Sequence, residues 1–193
     1  MVAPPIPPRT VAVFGSSRST EDSDAYAEAR AMGAAIARGG AAVACGGYAG
    51  VMEGAARGAH ERGGQAFGYT LAGLAGRRAN RFLTRETPCA TLYERLERLV
   101  RDSDAWVALG GGIGTVAEVL VAWNEVHLEQ IGARPLVVVG PLWADALAGL
   151  ARLPEIGAAL PDYIHHVVDV DAASRLLTDL GVLDAAGLGG SQP

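Results

Sequence analysis

The chain has 193 residues, half of them hydrophobic and 19% charged, with a formal net charge of −5. That length fits one domain with a full hydrophobic core, and the acidic balance excludes a general nucleic-acid binder, which needs a basic surface. No apolar stretch approaches the roughly 20 residues of a membrane span, and all 16 basic residues are arginine, leaving no lysine for a pyridoxal-phosphate Schiff base.

Residues 1–9 read as a flexible, Pro-rich lead-in without the charged start and apolar run of an export signal. Cys45 and Cys89 share no ligand spacing and read as reduced thiols in a cytoplasmic protein. The β-branched run Thr10–Phe14 predicts a strand ending at Gly15-Ser16-Ser17, and helical spacing follows over Ser23–Arg38, stopped by Gly39-Gly40. Ala41–Cys45 is a second strand broken by Gly46-Gly47, with a helix over Gly50–Arg62 and a third strand over Gln65–Thr70. Leu71–Pro88 is the least regular segment, a long loop with at most one short strand, and its Arg77, Arg78 and Arg81 read as solvated charges. A helix over Thr91–Asp102, a strand over Ala105–Leu109 and a helix over Thr115–Gln130 come next. Pro135–Val139 (strand), Leu142–Leu153 (helix), Ile164–Val168 (strand) and Ala172–Leu180 (helix) complete the core 10–185, and residues 186–193 form a flexible Gly-rich end.

Alternating strands and helices, with strands apolar throughout, predict an α/β fold: one Rossmann-like domain with a parallel sheet and helices on both faces. Ligands then belong at the carboxyl ends of the strands, where the glycine turns fall. A dehydrogenase is disfavoured, because Gly15-Ser16-Ser17-Arg18 lacks the Gly-x-Gly-x-x-Gly pattern and no acidic residue ends the second strand.

Leu109-Gly110-Gly111-Gly112-Ile113-Gly114-Thr115-Val116-Ala117-Glu118 is the most informative stretch. A strand that ends in glycines and opens into a helix turns unpaired N–H groups and a helix dipole toward one point, a phosphate site. Glu118, one turn into the helix, exceeds what a phosphate cradle requires and is placed to face a ligand's sugar. Alternatively it is a carboxylate that only answers the helix dipole, and Arg95 one member of a surface ladder with Glu94, Glu97, Arg98 and Arg101. The histidines, and Tyr93, Trp123 and Trp143, read as packing residues, with Val119, Ala122, Trp123 and Val126 also fitting a subunit contact.

Together these segments resemble the Lonely Guy family of cytokinin-activating phosphoribohydrolases, formerly labelled lysine decarboxylases. The family signature Pro-Gly-Gly-x-Gly-Thr-x-x-Glu is matched by Gly110–Glu118, with glycine in place of proline. Its Met-x-x-Arg-Lys helix is matched by Leu92–Leu96, which keeps Arg95 and has leucine at both other positions. Gly46-Gly47-Tyr48-Ala49-Gly50-Val51-Met52 is similar to the family's upstream Gly-Gly turn. The spacing of 23 residues from Arg95 to Glu118 also agrees. The resemblance covers about residues 10–140.

It implies hydrolysis of the N-glycosidic bond of a nucleoside 5′-monophosphate, cytokinin riboside monophosphate or an AMP-like nucleotide, without metal or organic cofactor. Glu118 would stabilise the ribosyl cation and Arg95 would pair with it. Ser16, Ser17, Gly46, Gly47, Met52, Gly111, Gly112, Gly114 and Thr115 would bind substrate and phosphate. A homodimer through the Thr91–Asp102 and Thr115–Gln130 helices is implied as well, with no nucleic-acid or membrane partner. Leu96 removes one positive charge from the family's site and Gly110 loosens its loop. The Gly-Val-Met-Glu form of the second turn is similar to a bacterial side branch that includes nucleotide-binding proteins and molybdenum-cofactor carriers. The alternative is therefore a non-catalytic nucleotide- or molybdenum-cofactor-binding carrier, which would not require Arg95 and Glu118.

Overall fold

The computed structural model describes residues 9–156 and 161–185. The expected lead-in before Arg9 and the expected Gly-rich end after Ala185 lie outside the described residues. In chain order the elements are β1 (Thr10–Phe14), α1 (Asp24–Arg38), β2 (Ala42–Cys45), α2 (Val51–Glu61), β3 (Ala66–Leu71), β4 (Arg85–Cys89), α3 (Leu92–Arg101), β5 (Ala105–Ala108), α4 (Ile113–His127), β6 (Leu136–Val139), α5 (Pro141–Leu150), β7 (Ile164–Val167) and α6 (Val170–Asp179). The strands form one sheet in the order β4-β3-β2-β1-β5-β6-β7, and every neighbouring pair is parallel. This is the expected α/β Rossmann-like architecture.

The strands alternate their side chains between two apolar layers, and both layers are buried because helices cover both faces. Val11, Val13, Val43 and Val107 pack beneath α1, α2 and α6 with Met32, Ile36, Ala55 and Leu177. Ala12, Phe14, Trp106 and Val138 face the opposite way, beneath α3, α4 and α5, with Leu99, Val119 and Leu147. Burying a Val, Leu or Phe side chain stabilises by about 1.5–3 kcal/mol each. The abundance of small residues in α1 and α2 follows from their close approach: a methyl group at Gly33 would run into the Ala55 backbone.

β1 lies mid-sheet. The chain walks outward from it to β4, then returns through α3 to β5 on its other side. Such a reversal leaves a crevice at the carboxyl ends of the two central strands, the usual ligand position in open α/β sheets. The irregular segment holds its one short strand, β4, at its very end, paired with β3 from Phe67↔Arg85 to Leu71↔Cys89. Its Arg-Glu-Thr-Pro sequence hides this strand because an edge strand needs neither a continuous apolar run nor every N–H donor.

Helix limits differ modestly from those expected. The helix after the main glycine loop starts at Ile113 rather than Thr115 and ends at His127. Val119, Ala122 and Val126 are buried within the chain, so the choice left open for them falls to the core. Among the described residues no helix is long and apolar enough to cross a membrane.

Candidate active site

A cleft of about 720 Å³ opens at the carboxyl ends of β1, β2, β3 and β5. The turn after β1 is held from both sides. Ser16 N–H donates to Gly110 O at 3.0 Å, and Val51 N–H donates to Ser16 O at 2.9 Å. Ser16, Ser17 and Arg18 therefore stand between the two glycine-led helices α2 and α4. Gly50, which precedes α2, has φ 75° and lies against the Ser16–Ser17 backbone, so a side chain there would be both strained and obstructed.

The amino terminus of α4 differs from those of α1, α3 and α6. Those three are capped by side chains, with Ser23, Thr91 and Asp169 accepting from Tyr26, Glu94 and Ala172 N–H. Before α4 stands Gly112, which supplies no capping side chain, and the first turn carries no acidic residue. Its unpaired N–H groups and dipole face the cleft, where Gly111, Gly112, Ile113, Gly114 and Thr115 form one wall. That arrangement selects for an anion.

Thr115 and Glu118 lie three residues apart on the inward side of α4, in line with the buried Ala122 and Val126. Arg95 occupies the corresponding inward side of α3, one turn before the fully buried Leu99. Its Nε donates to Tyr69 O at the end of β3 at 2.8 Å, and its Nη1 donates to Glu118 Oε1 at 3.4 Å. Both residues are buried, Arg95 at 9% exposure and Glu118 at 8%. Burial raises the Glu118 carboxyl from its ordinary 4.5 to about 7, against the opposing attraction of Arg95. The helical ladder runs elsewhere, through Arg98–Asp102, Arg101–Glu97 and Arg101–Glu125. Arg95 stands outside it.

Of the residues selected from sequence, Ser16, Ser17, Met52, Arg95, Gly111, Gly112, Gly114, Thr115 and Glu118 line the cleft. Gly46 and Gly47 stand one layer behind. A methyl group at Gly46 would strike Arg95 Nη2 and come within 2.7 Å of Met52 Sδ, so glycine there gives the guanidinium its room. Gly47, at φ 79°, sits beside Thr70. Sequence reasoning passed over Tyr48, Leu71, Leu74, Arg77 and Ile113, which also line the cleft. Tyr48 lies inside the second glycine turn and Arg77 inside the long loop, so both positions carried a signal. Cys45 is fully buried, and burial pushes its thiol up to about 11, which suits packing rather than nucleophilic attack. Both cysteines are free. Among the described residues no group of three or more His, Cys, Asp or Glu is placed to hold a metal ion.

Comparison with known proteins places the chain in a family. The model of the SLOG cluster4 family matches residues 8–131. A cytokinin riboside 5′-monophosphate phosphoribohydrolase of Mycobacterium tuberculosis is 32% identical over 171 residues, covering 84% of this chain and 88% of that protein. A probable cytokinin riboside 5′-monophosphate phosphoribohydrolase of Oryza sativa subsp. japonica is 29% identical over 178 residues, covering 89% of this chain and 71% of that protein. Among solved structures, the molybdenum cofactor binding protein of Rippkaea orientalis superposes with a TM-score of 0.71 at 20% identity, covering 91% of this chain and 98% of that one. The matched region holds Arg95, Glu118 and all three glycine turns, and the chain belongs to the SLOG cluster4 family, the Lonely Guy-like group that its motifs resemble.

Proposed function

We propose that the chain hydrolyses the N-glycosidic bond of a nucleoside 5′-monophosphate, releasing the free base and ribose 5-phosphate. The observation that carries this reading is the buried Arg95–Glu118 pair beside the uncapped glycine terminus of α4. The phosphate is held by the first-turn N–H groups of α4 and the Ser16–Ser17 turn, which brings the ribose toward Glu118. As the C1′–N bond breaks, the base leaves with the bonding electrons and takes up a proton, while water oxygen bonds to C1′. The transition state has the character of a ribosyl cation, so a fixed carboxylate in a water-poor site lowers its energy. Arg95 keeps Glu118 oriented and opposes its protonation. Its own role is electrostatic, since a guanidinium does not give up a proton at neutral pH.

The names of the two curated relatives support this reading and make N6-prenylated AMP and AMP the first nucleotides to try. We also infer a homodimer. The outward side of α4 forms an apolar groove of about 670 Å³ with Ala117, Leu120, Val121, Trp123 and Ile156, and Leu92 and Tyr93 of α3 are exposed.

A panel of nucleoside monophosphates is incubated with the protein, and free base and ribose 5-phosphate are separated by chromatography. At least one nucleotide is expected to be cleaved, with a loss of about 100-fold or more in both Glu118→Ala and Arg95→Ala. The competing reading is a carrier, favoured by the substitution of Leu96 for the family's lysine. Saturable binding without base release, equal in wild type and both variants, would establish the carrier and overturn the hydrolase.

A further inference from the structure

The cleft has a direction. Its glycine wall lies at β5 and the buried ion pair in the middle. Tyr48, Met52, Leu71 and Leu74 supply the apolar residues near the β2–β3 side, where Arg77 also stands. From β5 to β3 is three strand spacings, roughly 14 Å at about 4.8 Å each. If the phosphate occupies the glycine wall, as in the reading above on which this inference rests, the base lies at the Arg77 end.

Arg77 is exposed, and its loop is anchored on either side of it. Its loop is tied at one end by Leu71 N–H, which donates to Tyr48 Oη at 2.7 Å, and by Ala72 N–H to Cys89 O at 2.8 Å. At the other end Asn80 N–H donates to Gly47 O at 2.9 Å, and Asn80 Nδ2 donates to Tyr48 O at 3.1 Å. The Arg77 guanidinium carbon lies 5.7 Å from the centre of the buried Tyr48 ring, within cation–π range. That contact uses the charge and none of the five N–H donors. Among the described residues the Arg77 side chain has neither an ion-pair partner nor a hydrogen-bond acceptor, in contrast to Arg95.

We propose that Arg77 is a specificity-determining residue that reads the base, favouring a 6-oxopurine nucleotide over a 6-aminopurine one. A guanidinium only donates. The O6/N7 edge of guanine or hypoxanthine offers two adjacent acceptors and fits its fork. The N6/N7 edge of adenine turns a donor toward it, and an amide such as glutamine suits that edge instead. Prenylation of N6 adds bulk at the same edge, so the prenylated nucleotide is the poorer ligand of this chain.

IMP and AMP differ at position 6 and make the sharpest pair. Their dissociation constants are measured by calorimetry on wild type, Arg77→Gln and Arg78→Gln, the last a control on the adjacent, likewise exposed arginine, which does not line the cleft. Wild type and Arg78→Gln are expected to bind IMP at least about fivefold tighter than AMP, and Arg77→Gln to lose or reverse that ratio. Equal affinities in wild type, a ratio unchanged by Arg77→Gln, or no saturable binding of either nucleotide overturns the inference. Base release is followed in the same samples. Discrimination that depends on Arg77 without base release refutes hydrolysis alone, whereas release without discrimination refutes the role of Arg77 alone.

Discussion

Replacing Glu118 by glutamine tests the electrostatics of the site apart from any substrate. Glu118 is 8% exposed, and burial moves its titration from 4.5 to about 7 although Arg95 Nη1 lies 3.4 Å away. A shift of that size disfavours ionisation in the folded chain by about 3 kcal/mol. Its sign is opposite to that of a stabilising surface carboxylate. Between the two titration points the folded chain holds more protons than the unfolded one, so stability falls as pH rises. The penalty is absent below about pH 4.5 and complete above about pH 7, and glutamine does not incur it. Thermal unfolding of wild type and Glu118→Gln at pH 5, 6, 7 and 8 should therefore diverge. The variant is expected to gain up to about 3 kcal/mol on wild type across that range, or about 6–12 °C in melting temperature for a chain of this size. Parallel curves would show that the burial penalty is cancelled. A variant that falls behind wild type as pH rises would show that attraction by Arg95 exceeds it. Base release should display the same titration inverted, rising through about pH 7 as the carboxylate forms.

Gly46→Ala places a methyl group against Arg95 Nη2 and Met52 Sδ. It is expected to cost about 1–3 kcal/mol of stability and to remove base release as Arg95→Ala does, and full activity would refute the packing role assigned to Gly46. Gly114→Ala meets no atom within 4 Å and lies in the first turn of α4. Stability should hold or rise by up to about 1 kcal/mol, while monophosphate binding weakens about tenfold or more by calorimetry. Unchanged binding would move the phosphate away from this turn. Leu120→Arg puts a charge in the apolar groove on α4. Light scattering should show a mass of two chains for wild type and one for the variant, and equal masses would place the contact elsewhere or nowhere.

Much of this was legible in the sequence, and the rest was hidden for definite reasons. Strands such as Leu136–Val139 are apolar throughout because helices cover both faces of the sheet, and that pattern alone separates a parallel sheet from a half-exposed one. Glycine runs mark strand ends wherever the backbone must turn or approach closely. β4 was obscured because Arg85, Glu86 and Pro88 sit on an edge strand. In sequence Arg77 reads as a solvated charge, and it is exposed, but a loop's sequence does not say that it also borders the cleft. Only the three-dimensional ties through Tyr48 and Asn80 bring it to the cleft. Similarly, Arg95 lies among charged neighbours in sequence, and only the amphipathic orientation of α3 separates it from the ladder of Arg98 and Arg101. Val119, Ala122 and Val126 illustrate the converse ambiguity. Apolar residues on one side of a helix fit a core or a partner equally, and here the sheet takes them.

The buried pair is the strongest argument that the cleft does more than hold a ligand. A well-packed apolar pair in place of a buried ion pair is often neutral or stabilising, so stability alone does not explain why Arg95 and Glu118 stand between β3 and α4. A phosphate cradle does not explain them either, since the α4 terminus and the Ser16–Ser17 turn supply donors without a carboxylate that would repel the anion. A carboxyl held near neutrality, restrained by one guanidinium and open to a cleft, is instead the arrangement expected where positive charge must develop on a bound molecule. On the proposed reading, a ribosyl cation forming beside an anchored phosphate would provide that charge at that place. A carrier would gain little from burying Glu118 and would bear its full penalty above about pH 7.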